Sequence, residues 1–478
     1  MRRLLSAGII CFWLVMVGAL VWRAWPSPVA STVQMLPDSG GEEWMGVYQQ
    51  RRKIGYTRES WSADADGSRF SEESLLRLTV SETSQTVRTR MQGHLNADWS
   101  LRDVDFELSS GVGHLQASAR VTGSEIRLTL RTGADTTEQS LPITEPVYMP
   151  ARLRASLAGG HLHAGETLQA MIFDPVTLKN DRIRITVDRS EPVPDLAPVR
   201  GWRVHEEYRG TQTQAWIDEN GVTLREEGPM GLVLVRQTAE QALNEGWSAD
   251  AALDLIVTTA VPVARLIDNA RQRMALRVRL SGINVETVPN DDEQRRDGAI
   301  LDIQRADIAT LPSYALPCAD RDRAADLMPT AFLQSDHPRI QALAREILGG
   351  ERDSARAARL LNDWVYRHLR KVPTVSIPNA LQVLDMGAGD CNEHAVLLAA
   401  LSRAVGLPAR VIAGAVYLDG AFFYHAWCEL WLGRWVSVDP TFNQLPADAT
   451  HIKFVVGGPD EQLAMLGIIG RLGLDVLD

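Results

Sequence analysis

The stretch that most restricts the fold lies near the C-terminus. Residues 395–401 are seven consecutive apolar residues, preceded by Gly389-Asp390-Cys391-Asn392-Glu393-His394 and followed by Gly406-Leu407-Pro408. Such a run reads as a buried helix, and the Gly-Leu-Pro sequence stops it. Next, residues 410–417 are rich in Val, Ile and Ala, and 421–432 are rich in aromatics. A third short run, 435–438, ends at Asp439-Pro440. All three read as strands. A buried helix followed by three strands demands helix packed on sheet, with the two helical patterns at 337–348 and 354–369 covering the helix's other side.

This arrangement places reactive side chains together. Cys391 falls at the start of the helix, where unpaired N–H groups and the dipole favour thiolate over thiol. Strand alternation puts His425, Trp427, Glu429 and Trp431 on one face and Ala426, Cys428, Leu430 and Leu432 on the other. An antiparallel neighbour then brings Asp439 beside His425. The roles follow: Cys391 attacks a carbonyl, His425 moves the proton, and Asp439 orients the imidazole. The Cys391 N–H is one oxyanion donor, and no second donor is legible. Each residue alone has a plainer reading, as a small core group, a structural histidine or a turn residue. Their order is what is specific. Zinc is a rival use of Cys391-x-x-His394 and His425-x-x-Cys428, which the strand reading disfavours because an offset of three places His425 and Cys428 on opposite faces. His161-x-His163 reads as a solvated pair in a Gly-rich loop.

Four segments carry a family resemblance: Gly389-Asp390-Cys391, 404–410 (Ala-Val-Gly-Leu-Pro-Ala-Arg), Tyr424-His425-Ala426-Trp427 with Glu429, and 435–441 (Trp-Val-Ser-Val-Asp-Pro-Thr). Together they resemble the transglutaminase-like superfamily, whose fold is shared with papain-like cysteine peptidases, over residues 330–478. The resemblance implies a nucleophile, base and orienting acid at Cys391, His425 and Asp439, and acyl transfer at an amide. It leaves water or an amine open as acceptor and requires no cofactor. Calcium serves some members of the family, but no acidic loop here has suitable ligand spacing.

At the other end, Met1-Arg2-Arg3 precedes an uncharged run from Leu4 to Trp22. At about 1.5 Å per residue such a run nearly spans a hydrocarbon core of about 30 Å. It reads as a signal anchor, or else a cleaved signal peptide, over 1–23, with the positive end in the cytoplasm. The expected fold is therefore multidomain: an N-terminal membrane helix, a linker over 24–43, an antiparallel β-rich domain over 44–240, a small β-rich intermediate domain over 245–315, and an α+β transglutaminase-like domain over 330–478. The β-rich part weakly resembles domains found ahead of periplasmic transglutaminase-like domains. The bulk of the chain is expected in the periplasm, anchored in the inner membrane, with a protein or peptide as substrate and an envelope protein as possible partner. A net charge of −11 without a basic tract offers nothing to nucleic acid. Four cysteines (Cys11, Cys318, Cys391, Cys428) make no disulfide scaffold, though a Cys318–Cys428 bridge stays open. The alternative to an enzyme is an envelope assembly protein that uses the transglutaminase-like domain as a docking fold.

Overall fold

The computed structural model describes residues 41–80, 83–111, 113–133, 135–159, 162–244, 254, 258–458 and 461–478. The expected membrane segment, most of the linker and His161 lie outside them. Among the described residues no helix is long and apolar enough to cross a membrane. Residues 41–43, assigned to the linker by sequence, open the first strand instead.

Fifteen strands, from β1 (Gly41–Gln49) to β15 (Leu232–Gln237), form one sheet. Strands β1 through β8 (Asp135–Pro142) pair one after another in chain order, β9 (Val147–Tyr148) through β15 do likewise, and β1 joins β15 antiparallel, which leaves β8 and β9 as the two edges. Alternation builds these strands: in β7 (Glu125–Thr132), Ile126, Leu128 and Leu130 are buried and their neighbours are not. Asn220-Gly221 makes a hairpin turn, with Gly221 at φ +78°. A Cβ on Gly221 would lie 2.5 Å from Ala155 Cα, in the helix Pro150–Ala158 that packs there, so glycine is needed for both conformation and space.

The stretch 245–315, read from sequence as a separate small unit, shares one core with the C-terminal region. Its strands are β16 (Val261–Pro262), β17 (Ala275–Ser281), β18 (Gln294–Asp297) and β19 (Ile300–Gln304). Val278, Leu280 and Leu301 pack with Ala413, Ile452 and Phe454. The final strand, β26 (Gly473–Val476), pairs with β17. At 261–262 the chain is an extended edge strand, where proline is tolerated. The polar run 288–297 is partly buried, and its side chains bond neighbouring backbone. Gln294 Oε1 accepts from Lys453 N (2.8 Å), and its Nε2 donates to the Lys453 carbonyl (3.0 Å).

Four helices (Pro338–Leu348, Ser354–His368, Ala380–Met386 and Cys391–Ala404) and a sheet complete this region. The sheet runs β16, β23 (Ala421–Trp431), β22 (Ala409–Leu418), β25 (Ile452–Val456), with β24 (Trp435–Val438) also paired to β23. The cysteine helix is buried from Glu393 to Ser402, between the other helices and the strand residues Val411, Ala426, Cys428 and Leu430. Cys318 and Cys428 are both free; the Cys428 thiol donates to the Ala395 carbonyl at 3.1 Å, so no bridge joins them.

Candidate active site

Cys391 is the first residue of its helix, and Asp390 caps it. The Asp390 carboxylate accepts from Asn392 N at 2.9 Å, while Glu393 Oε2 accepts from Asp390 N at 2.9 Å. This reciprocal box satisfies two of the helix's free donors. It requires Gly389, where a Cβ would fall 2.3 Å from Glu393 Cβ. Glu393 is fully buried and also accepts from Thr374 Oγ1 (3.0 Å) and from Ser376 Oγ. The loop carrying those hydroxyls is held by the β-rich region: Gln85 Nε2 donates to the Pro373 carbonyl (2.7 Å) and Ser110 Oγ to that of Val375.

The helix N-terminus does not decide the state of Cys391 by itself. Burial pushes the thiol well above its ordinary value, a charge on Asp390 would add to this, and the Ala426 backbone N–H opposes it. Burial, then Glu393, also raises the Asp390 carboxyl. For Cys391 the largest influence is desolvation, ahead of the Asp390 charge. The residue as a whole is of intermediate exposure. The resting form is a thiol that needs a base.

His425 lies on β23 opposite Gly414 of β22. Gly414 has no room for a side chain: a Cβ would sit 2.0 Å from the Ile452 carbonyl and 2.6 Å from the Trp427 ring. His425 Nε2 donates to Asp439 Oδ2 at 2.8 Å, which leaves Nδ1 as the basic nitrogen. Phe442 stacks on the imidazole at 5.1 Å with planes 14° apart, and Trp427 lies along it at 6.2 Å. Asp439 is fully buried. Its Oδ1 accepts from Thr441 N (2.7 Å) and Phe442 N (3.1 Å). Despite burial, contact with His425 and then His451 holds its carboxyl far below the usual range.

The structure therefore joins His425 to Asp439 by a direct hydrogen bond. Cys391 packs against the core cluster that contains Ala426, the residue after His425.

Sequence reasoning missed His451, whose Nε2 donates to the same Asp439 Oδ2 at 3.0 Å. It also missed Asp448 and Arg271 behind it, 3.0 Å apart. His394 is fully buried; its Nδ1 donates to the Asp390 carbonyl at 2.6 Å, and burial lowers its pKa. The zinc pattern does not assemble, since Cys428 points into the helix core. His425, Asp439 and His451 do place three ligand-type atoms within 4.8 Å, but these atoms already bond one another.

Residues 341–440 match the transglutaminase-like superfamily, and the C-terminal region is a transglutaminase-like domain. Over 148 residues the chain is 32% identical to a protein-glutamine gamma-glutamyltransferase of Pseudomonas aeruginosa, covering 27% of this chain and 22% of that protein. An uncharacterized protein of Mycobacterium leprae is 27% identical over 165 residues, 32% of this chain and 57% of that one. The chain thus spans 22% and 57% of the lengths of these relatives. Among solved structures, a candidate cysteine protease of Cytophaga hutchinsonii is 19% identical with TM-score 0.32, over 42% of this chain and 81% of its own. A β-barrel-like protein of Brucella abortus is 14% identical with TM-score 0.33, over 41% and 95%.

Proposed function

We propose that the protein is a cysteine-nucleophile enzyme acting on amide bonds of proteins or peptides, by hydrolysis or by transfer to an amine. The observation that carries this reading is the bond from His425 Nε2 to a buried, doubly anchored Asp439, on the strand that meets the Cys391 helix. Asp439 fixes the imidazole tautomer so that Nδ1 takes the thiol proton. The sulfur then adds to the amide carbonyl, and His425 returns the proton to the departing amine. Water or a second amine releases the acyl group from Cys391. The Cys391 N–H, unpaired at the first helical turn, is a donor for the oxyanion; one such donor is typically worth about 2.7–4 kcal/mol.

The N-terminal apolar run supports placing the enzyme on the periplasmic side of an inner membrane, held by a single span or released after cleavage of the signal. The β-rich region supports a macromolecular substrate or an envelope partner.

The test is site-resolved labelling of the full chain with iodoacetamide. Cys391 should react faster than Cys318, and His425→Gln should slow Cys391 by roughly 10²-fold or more while leaving Cys318 unchanged. If Cys391 reacts no faster than Cys318 and is indifferent to residue 425, the docking-fold reading replaces this one. Mass spectrometry of acyl-enzyme trapped from envelope extract would then identify the donor.

A further inference from the structure

Asp439 Oδ2 accepts two imidazoles, from His425 at 2.8 Å and from His451 at 3.0 Å. The second nitrogen of His451, Nδ1, lies 3.1 Å from the Asp448 carbonyl oxygen. Both partners of His451 are acceptors, and a carbonyl can be nothing else, so both of its nitrogens must donate. That is the doubly protonated, cationic ring. It is 4% exposed, so its charge is little screened. Asp448 supplies the countercharge 3.5 Å from Nδ1. Asp448 is itself fixed by Arg271 (3.0 Å), Gln444 Nε2 (2.9 Å) and Thr450 N (2.8 Å). An alternating row results: Arg271, Asp448, His451, Asp439, His425.

We propose that His451 is a positioning residue of the site, a buried imidazolium that clamps Asp439 and, by its charge, makes the Cys391–His425 pair release its protons more readily. The inference rests on the proposed roles of Cys391, His425 and Asp439. Its physics is Coulombic: a cation next to the orienting carboxylate offsets the pull of that carboxylate on the His425 proton. Removing the cation makes every proton of the coupled pair harder to lose, whichever residue holds it. Other charges facing the pair come from each packed element: Asp390 and Glu393 on the cysteine helix, Glu429 farther along β23, and Lys453 farther along β25. None of them contacts Asp439 Oδ2. Consistent with the geometry, contact with Asp439 and Asp448 raises the His451 pKa to about 9 against the opposing effect of burial.

The experiment is the pH profile of Cys391 alkylation by iodoacetamide, read by peptide mass mapping on the full chain, for wild type, His451→Gln and Asp448→Asn. Gln keeps a donor for Asp439 but no charge. Asp448→Asn keeps His451 and weakens its hold on the proton, so the test survives if the first variant does not fold. The profile midpoint should move up by about one pH unit in His451→Gln, making alkylation below the midpoint about tenfold slower, with a smaller upward move in Asp448→Asn. Slower alkylation with an unmoved midpoint in both variants would mean a purely structural role and overturn the inference alone. Wild-type Cys391 reacting no faster than Cys318 would overturn the site reading, and the inference with it.

Discussion

Lys453 offers a quantitative test of how the site is held. It lies on β25, two residues beyond His451, and is 2% exposed. Its ammonium contacts Glu429 Oε1 at 2.6 Å and Asp291 Oδ2 at 2.5 Å. Glu429 lies on β23, four residues beyond His425, and is fully buried. One charge therefore ties β23, which carries His425, to β25, which follows His451, and both to the loop before β18. Lys453→Met keeps the length and removes the charge. Breaking a buried pair from one side costs about 3–5 kcal/mol. Two features favour the lower end: Glu429 Oε2 keeps Arg410 at 2.6 Å, and the Asp291 side chain, 27% exposed, can rehydrate. We expect about 3 kcal/mol, hence a fall in melting temperature of roughly 6–12 °C for a unit of about 200 residues, read by calorimetry at neutral pH. Lys453→Met with Glu429→Gln should recover part of the loss, because the stranded carboxylate is then gone. A single variant within about 2 °C of wild type, by the same scaling, would refute the claim that this charge is needed by buried partners.

The remaining expectations are briefer. His451 has a folded value of about 9 against 6.5, so as a raised base it stabilises the fold fully below pH 6.5 and loses that contribution as pH rises through 9. The difference corresponds to on the order of 3 kcal/mol; urea midpoints at pH 6 and pH 9.5 should differ more for wild type than for His451→Gln, and equal differences would contradict the assignment. Gly389→Ala should displace Glu393, undo the capping box and cost about 1–2 kcal/mol, with slower Cys391 alkylation; a normal rate would show that the box does not place the sulfur. Gln85→Ala, which removes the acceptor for Val375 N 290 residues away in sequence, should slow Cys391 alkylation several-fold with little loss of stability. Asp439→Asn should leave the chain folded and depress Cys391 alkylation by roughly 10²-fold or more, since the amide cannot fix the same imidazole tautomer.

The candidate site was legible where it is carried by local pattern. The apolar run 395–401 specifies a helix that begins at or near Cys391, and period-two alternation separates His425 from Cys428. Asp439 was legible because it ends a strand next to the histidine strand. His451 was not, because β25 pairs with β22 rather than with its chain neighbour, and nothing local announces that register. The same reason hid Lys453, and it misplaced 245–315: β17 meets β26 across nearly 200 residues, a pairing no short window can show. The charge state of Cys391 was misjudged for a different reason. A helix terminus acts on one atom and can be read from sequence, whereas desolvation depends on everything packed around the sulfur.

These non-local contacts explain why the region around the cysteine is not a self-sufficient module. A nucleophile at a helix start needs its backbone fixed, because the same amides must cap the helix and face a substrate. Here Glu393 fixes that turn, Thr374 and Ser376 fix Glu393, and the β-rich sheet fixes their loop through Gln85 and Ser110. On the other side, Asp439 fixes His425, His451 fixes Asp439, and Asp448 with Arg271 fixes His451. Each chain of support ends in a segment distant in sequence from the residue it serves. A sheet of fifteen strands thereby holds the loop beneath the cysteine in one conformation, and under the proposed mechanism the sulfur can meet its base without first having to order the chain that carries it.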